Sequence, residues 1–328
     1  MFTDKAQICL AIFWTLSFGF FPTLEAQELK SFRISLSLGS AQLPLWAARD
    51  AGLFSKHGLN VELLGLQSAS RQVQLILAGD TLAASLSGTA PVRARIEGAD
   101  TIIMMGLLNS FTLSVIAVPE IKKPSDLKGR FIGVGNLGGS PTLLTQRLLK
   151  KWGLESDVKF LATGGYFESL AALEKRRIHA AVLDPPRAYI GRKKFFTELA
   201  NLGQEFKYAT TVIVARESQL RKERETFSQF AKGVIEGIHR VKTDREFAIK
   251  VLGKMLGSSD REILDETYRV FSALYEKAPY PAVEGIQPIL DEMSAQLPKA
   301  KNYKPEDFVD TSIMKQLDQS GFVASVYR

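Results

Sequence analysis

The chain has 328 residues, 45% of them hydrophobic and 23% charged, and 42 Lys and Arg against 35 Asp and Glu give a formal net charge of +7. That length supports a large buried core and about two domains. The single cysteine, Cys9, falls in an N-terminal apolar run, which excludes disulfides, cysteine nucleophiles and thiolate metal sites from the rest of the chain.

Residues 1–26 combine Lys5, an apolar run over 8–21 and Leu24-Glu25-Ala26, the pattern of a secretory signal peptide cleaved after Ala26. The run is shorter than the roughly 20 residues that span a bilayer. From residue 31 the chain alternates apolar strands with helices, the signature of an α/β architecture with mostly parallel sheets. Strands are expected at 32–38, 61–64, 81–86 and 101–107. Helices are expected through Trp46 to Ala51, over 70–78, and from Gly88-Thr89-Ala90-Pro91 to Gly98. An apolar extended run at 112–118 ends at Pro119, and a second follows at 210–215. Between them lie a strand at 129–134, a glycine-rich loop, a helix through Leu143, Leu144, Leu148, Leu149 and Trp152 that stops at Gly153, a strand at 158–162, a helix at 166–175 and a strand at 180–183. The two apolar runs read as paired crossover strands between two lobes. After Arg216 the pattern turns helical, with Phe227, Phe230, Val234, Ile238 and Val241 on one face and Ile263, Leu264, Tyr268 and Phe271 on another. The plan is a discontinuous first lobe (31–116 and 215–328), an inserted second lobe (117–214) and a hinged cleft suited to closing around a ligand.

The glycine run Gly133-Val134-Gly135-Asn136-Leu137-Gly138-Gly139-Ser140-Pro141 joins a strand to an amphipathic helix. Ser140 suits an N-cap and Pro141 the first helical position, where a missing N–H costs nothing. The free N–H groups from Thr142 onward carry the positive end of the helix dipole and favour an anionic or polar group. The spacing also matches a dinucleotide fingerprint, but that motif needs an acid at the end of the next strand, and here 158–162 runs into Thr163-Gly164-Gly165. A nicotinamide or flavin is therefore not expected, and no cofactor is implied.

Other catalytic patterns fail in the same way. His57, His179 and His239 stand apart without metal-ligand spacing, Gly138-Gly139-Ser140-Pro141-Thr142 lacks the last glycine of a nucleophile elbow, and there is no P-loop. The basic surplus is scattered in short clusters such as Lys122-Lys123, Lys175-Arg176-Arg177 and Arg192-Lys193-Lys194, which read as solvated faces. Nucleic-acid binding, which calls for a basic stripe interleaved with aromatics, is not expected.

Four segments carry a family resemblance: Pro44-Leu45-Trp46-Ala47-Ala48-Arg49-Asp50-Ala51-Gly52-Leu53-Phe54-Ser55-Lys56-His57-Gly58-Leu59-Asn60-Val61-Glu62; Pro124-Ser125-Asp126-Leu127-Lys128-Gly129-Arg130; Lys151-Trp152-Gly153-Leu154; and Ala180-Ala181-Val182-Leu183-Asp184-Pro185-Pro186. With them the chain resembles the type II periplasmic solute-binding proteins of ABC importers, in the nitrate, sulfonate, taurine and thiamine-precursor group. The resemblance covers nearly all of the chain after the signal segment. It departs where Leu82 and His179 stand in the places of an aspartate that usually opens the third strand of each lobe. The resemblance implies a two-lobed fold joined by two crossover strands, a small-molecule ligand, an ABC permease as partner, a monomer and secretion to the periplasm.

Ligand contacts are expected on strand-to-helix loops. In the first lobe these are Ser40, Gln42, Ser70 at a helix start, Thr89 and Asn109. In the second they are Gly139, Ser140, Thr142, Tyr166 and Asp184, with Arg71 and Arg187 as candidate partners for an anion and Trp46 for a ring. The expected ligand is a small polar molecule, either an anion such as a sulfonate or a nitrate-like oxyanion, or a thiamine pyrimidine precursor. Two other readings share the fold. One is an enzyme resembling thiamine-pyrimidine synthases, which use a cysteine-rich motif absent here; the other is a secreted ligand sensor.

Overall fold

The structure is a computed structural model that describes residues 28–137, 140–294 and 296–328. The expected signal segment, its cleavage point and Gly139 lie outside the described residues.

In the first lobe β1 (Lys30–Ser37) leads through a 3-10 turn (Ser40–Gln42) into α1 (Leu43–Asp50) and α2 (Leu53–Lys56); β2 (Leu59–Leu66), α3 (Ala69–Ala78), β3 (Ala83–Leu86), α4 (Thr89–Ile96) and β4 (Ile102–Ser110) follow. The chain crosses at 111–113 into β5 (Ser114–Ala117), β6 (Phe131–Val134), α5 (Ser140–Lys151), β7 (Lys159–Ala162), α6 (Tyr166–Glu174), β8 (Ala180–Leu183), α7 (Pro185–Lys193), β9 (Thr197–Asn201) and α8 (Leu202–Glu205). It returns as β10 (Lys207–Ala215) and continues as α9 (Glu217–Lys222), α10 (Arg224–Thr243), α11 (Arg245–Leu256), α12 (Arg261–Leu274), α13 (Gln287–Ser294), α14 (Ser312–Gln319) and α15 (Phe322–Val326).

Two five-stranded sheets result, in the orders β2-β1-β3-β10-β4 and β7-β6-β8-β5-β9. β1 runs parallel to β2 and β3, and β6 parallel to β7 and β8, while β10 and β5 are the antiparallel members. The α/β architecture expected from the alternating pattern is present in both sheets. The two long apolar runs do not pair with each other, however. β5 lies between β8 and β9, and β10 between β3 and β4, so each inserts into its own sheet and passage between sheets falls at 111–113 and 202–206. Burial agrees: all four residues of β5 and seven of the nine in β10 are buried, as are eight of the nine in β4, as befits strands covered on both faces.

β4 is nevertheless an edge in hydrogen-bonding order, and an uncovered apolar edge invites mispairing. The C-terminal segment covers it: Gly106 N donates to Pro279 O at 3.0 Å, and Asp310 N to Ile103 O at 2.9 Å beside a parallel bridge from Ile103 to Val309.

One hydrophobic cluster runs from α3 and α4 through Phe111, Leu113, Leu202 and Tyr208 into the second lobe, so the crossings are themselves packed core. The other fills the opposite face of the first sheet beneath α1, α10, α11 and α14. The lobes are also tied by ions. Arg192 of α7, also bonded within its own lobe to Glu198 at 2.9 Å, reaches Glu266 of α12 at 2.5 Å, and Lys193 pairs with Glu262. Among the described residues no helix is long and apolar enough to cross a membrane.

Candidate functional site

The β6–α5 and β7–α6 loops converge on a cavity of about 200 Å³ lined by Gly135, Asn136, Pro141, Thr142, Gly164, Gly165, Tyr166 and Val182. The local sequence explains the shape. Small residues let the two loops approach, with Gly164 N donating to Gly135 O at 3.1 Å, and Gly164 takes a left-handed φ of 100°. Thr163 then holds the turn: its hydroxyl donates to Val134 O at 2.9 Å and shares a 2.5 Å bond with Ser169 Oγ. On the other wall Thr142, fully buried, donates to Asn136 O at 2.6 Å. The cavity therefore sits at the N-terminal ends of α5 and α6, where first-turn N–H groups lack helical acceptors and favour negative charge.

Tyr166 forms a wall of this cavity, and burial, reinforced by the charge of Asp184, pushes its hydroxyl up to about 12. Asp184 caps α7 through Arg187 N and accepts from the Arg187 guanidinium at 2.7 Å. Burial raises the Asp184 pKa despite Arg187. Arg187 is thus engaged by its own helix cap.

The opposite approach to the glycine loop comes from the first lobe and the returning strand. Tyr208 on β10, with no exposed surface, places its hydroxyl 3.1 Å from Thr89 Oγ1 and 2.6 Å from Ser140 Oγ. It donates to Glu292 Oε2 of α13 at 3.2 Å, and Ser140 Oγ donates to the same oxygen at 3.4 Å. Burial drives the Glu292 pKa up to about 7, and burial and the nearby Glu292 push Tyr208 up to about 12.

Of the expected contacts, the structure brings Thr142 and Tyr166 together in the cavity, and Thr89 and Ser140 together at Tyr208. Asp184 lies behind Tyr166. The remaining first-lobe residues are elsewhere. Ser40 gives its carbonyl to the Tyr275 hydroxyl at 3.1 Å. Gln42 is buried and turned into the lobe, accepting from Ser85 Oγ at 2.7 Å. Ser70 does not start its helix: Ser68 is the N-cap, accepting from Arg71 N, and Ser70 and Arg71 are exposed. Trp46 is overlaid by the Arg49 guanidinium, 4.4 Å from its ring centroid.

Asn109 lies inside β4 rather than beyond it, because the strand runs on to Ser110. Its side chain is consumed by the C-terminal segment, donating to Tyr280 O at 2.9 Å and accepting from Ala282 N at 3.1 Å. Asn109→Ala is expected to cost about 1–3 kcal/mol by orphaning these buried groups. Chemical denaturation should show that loss, with ligand affinity unchanged.

Tyr208 and Glu292 escaped sequence reasoning. Tyr208 stands two residues before the 210–215 run, where it reads as core. Glu292 is three residues after Ile289, on the buried side of a helix that also carries Leu290 and Met293, and an acid at that position was the available signal. No group of three or more His, Cys, Asp or Glu side chains among the described residues could hold a metal. His179 enters β8 through backbone bonds to Phe131 and Val118, as a strand-entry residue.

The family model described as NMT1/THI5 like matches residues 40–246, well over half of the chain. The chain belongs to the NMT1/THI5-like family. A comparison with curated protein sequences finds no match. Among solved structures, the chain is similar to the periplasmic aliphatic sulphonate binding protein SsuA from Escherichia coli, at 15% identity and a TM-score of 0.67, covering 85% of this chain and 98% of that one. It is also similar to the ligand binding component of an ABC-type import system from Staphylococcus aureus, at 14% identity and a TM-score of 0.65, covering 87% and 98%. A mutant DSZB in complex with biphenyl-2-sulfinic acid matches at 13% identity and a TM-score of 0.64, covering 89% and 100%. These likenesses establish the fold of this NMT1/THI5-like chain, two lobes each built on a mixed sheet.

Proposed function

We propose that this chain is the extracytoplasmic solute-binding component of an ABC importer, and that its cargo is a small molecule bearing a sulfur oxyanion, of the sulfonate class. The observation that carries the reading is the cavity at the paired N-termini of α5 and α6, walled by Thr142 and Tyr166. About 200 Å³ fits an oxyanion headgroup, with the remainder of the solute extending toward the first lobe. The neighbours described as sulphonate binding, or held with a sulfinic acid, support that class of ligand, and the import-system neighbour supports a permease partner. Binding is noncovalent, without a cofactor, and the signal-like segment 1–26 supports export to the periplasm. The site serves capture rather than catalysis, because Tyr166 and Tyr208 are held protonated by burial and the His residues stand away from the cavity.

A thermal-shift screen with alkanesulfonates, aromatic sulfonates, nitrate and thiamine pyrimidines tests this. At a hundred times Kd a sulfonate is expected to add about 2.7 kcal/mol to stability. A shift with the pyrimidines alone would replace the proposed cargo, and no shift with any anion would remove the cavity from the binding role.

A further inference from the structure

The hydroxyl and carboxyl groups of Thr89, Ser140, Tyr208 and Glu292 come from four separate elements: α4 of the first lobe, α5 of the second, the returning strand β10, and α13. Such a cluster forms only when the lobes are together, since Ser140 travels with the second lobe and Thr89 with the first. Its arrangement also fixes who donates. Tyr208 has one proton, which goes to Glu292; Thr89 then donates to the Tyr208 oxygen, and the one proton of Ser140 is shared between that oxygen at 2.6 Å and Glu292 Oε2 at 3.4 Å. Ser140 is the residue at which the glycine loop becomes α5, so the tie acts directly on the wall of the ligand cavity.

We propose that Tyr208 and Glu292 are the positioning residues of this ligand site, bracing Thr89 and Ser140 across the hinge so that the glycine loop is presented in its binding arrangement. The inference rests on the cleft being the ligand site.

The carboxyl of Glu292 gives the brace a proton dependence. Its Oε1 is buried and has no hydrogen-bond partner among the described residues, an environment hostile to a carboxylate. Charged groups around it do not cancel that penalty. Arg147 of α5 favours the charged form but is paired with Asp291 at 3.2 Å, and Asp291 itself opposes charge on its neighbour. Lys150 and Glu155 line the hollow beside α5. On α4, Arg93 is held by Glu97 and Arg95 by Glu217, and Lys299 and Lys301 of the turn packed on α13 are exposed. Burial therefore dominates and holds the pKa near 7 rather than 4.5. A raised value means that the folded, joined form gains from the proton: the gain is complete below 4.5 and is lost as pH rises through about 7. Separating the lobes lets water reach the carboxylate, so rising pH favours separation.

The test uses paired fluorophores on Ala78→Cys and Lys175→Cys, one exposed site in each lobe, in a Cys9→Ser background where they are the only thiols. From pH 6 to pH 8 the distance between the labels is expected to widen in the parent. Glu292→Gln keeps the hydrogen bonds without the charge and should hold one short distance at both pH values. Tyr208→Phe should be wide at both. The affinity for a sulfonate should fall severalfold over the same pH interval in the parent and not in Glu292→Gln, a readout that a merely structural residue does not move. A parent distance that is constant with pH, or a Glu292→Gln variant that widens as the parent does, overturns the proposal. His57, His179 and His239 are unchanged in Glu292→Gln, so the glutamine variant separates any effect of theirs from that of Glu292. If no anion binds the parent, the ligand reading fails while the distances still judge the brace.

Discussion

Gly135→Leu is expected to erase ligand-induced stabilisation while leaving the unliganded protein folded and nearly as stable. Gly135 is not held in the left-handed region, and a Cβ built there meets only Gly165 Cα, at 3.9 Å, an ordinary contact. The substitution therefore carries little backbone or steric cost. Where the native conformation suits the new residue, replacing glycine even gains about 0.4–1 kcal/mol from the unfolded chain. The leucine side chain, however, enters a cavity of only about 200 Å³ and occupies the space of a headgroup. A loss in affinity of at least about 100-fold follows, equivalent to the roughly 2.7 kcal/mol that a ligand at a hundred times Kd contributes. Titration calorimetry checks affinity and melting of the free protein checks the fold. A variant that melts normally and binds with parental affinity would place the solute away from the glycine loop.

The same cavity shows where sequence reasoning reaches its limit. The placement of Ser140, Thr142 and Tyr166 in the first turns of helices was legible because the signal is local: a glycine run before a helical period announces a helix N-terminus, whatever the rest of the chain does. Thr89 was legible for the same reason. Gln42 and Asn109 carry equally suggestive residue types at strand ends, but their side chains are claimed by partners 43 and 171 residues away, Ser85 and Tyr280. Nothing local distinguishes a polar side chain that faces a solute from one that ties down a distant segment. Tyr208 and Glu292 illustrate the converse, since each is unremarkable in its own element and acquires a role only where four elements meet. The strand and helix order was readable for most of the chain, because periodicity in β1, α5 or α10 is strong. β9 was missed because Thr197–Asn201 alternates only weakly and includes a glutamate, and its identity as a strand comes from pairing with β5. The two apolar runs were recognised as strands, yet their partners depend on tertiary register that no local pattern encodes.

An aromatic stack packs at the centre of the first lobe's buried cluster, and Phe230→Ala is expected to be severely destabilising. Phe230 of α10 lies between Phe32 of β1, 4.4 Å away and 7° from parallel, and Phe54 of α2, at 5.3 Å and 2°. Phe227 closes the group edge-on to Phe32, and none of Phe32, Phe227 and Phe230 exposes any surface. The stack joins a strand, a short helix and the longest helix, and α2 has only four residues with which to hold itself in place. Truncating a fully buried phenylalanine costs about 3–5 kcal/mol, part transfer energy and part unfilled cavity. Against a total stability of about 5–15 kcal/mol this is a large fraction. With a shift of about 2–4 °C per kcal/mol for domains of comparable size, melting should fall by roughly 6–20 °C. Phe230→Leu, which retains most of the volume, should lose less. The stack lies in the cluster on the far face of the first sheet, away from the cavity between α5 and α6. Ligand should therefore still raise the melting temperature of Phe230→Ala by about the parental amount. A drop of under 2 °C would mean that α10 is not anchored through this ring, and loss of the ligand response below the melting point would mean that the two faces of the sheet are coupled.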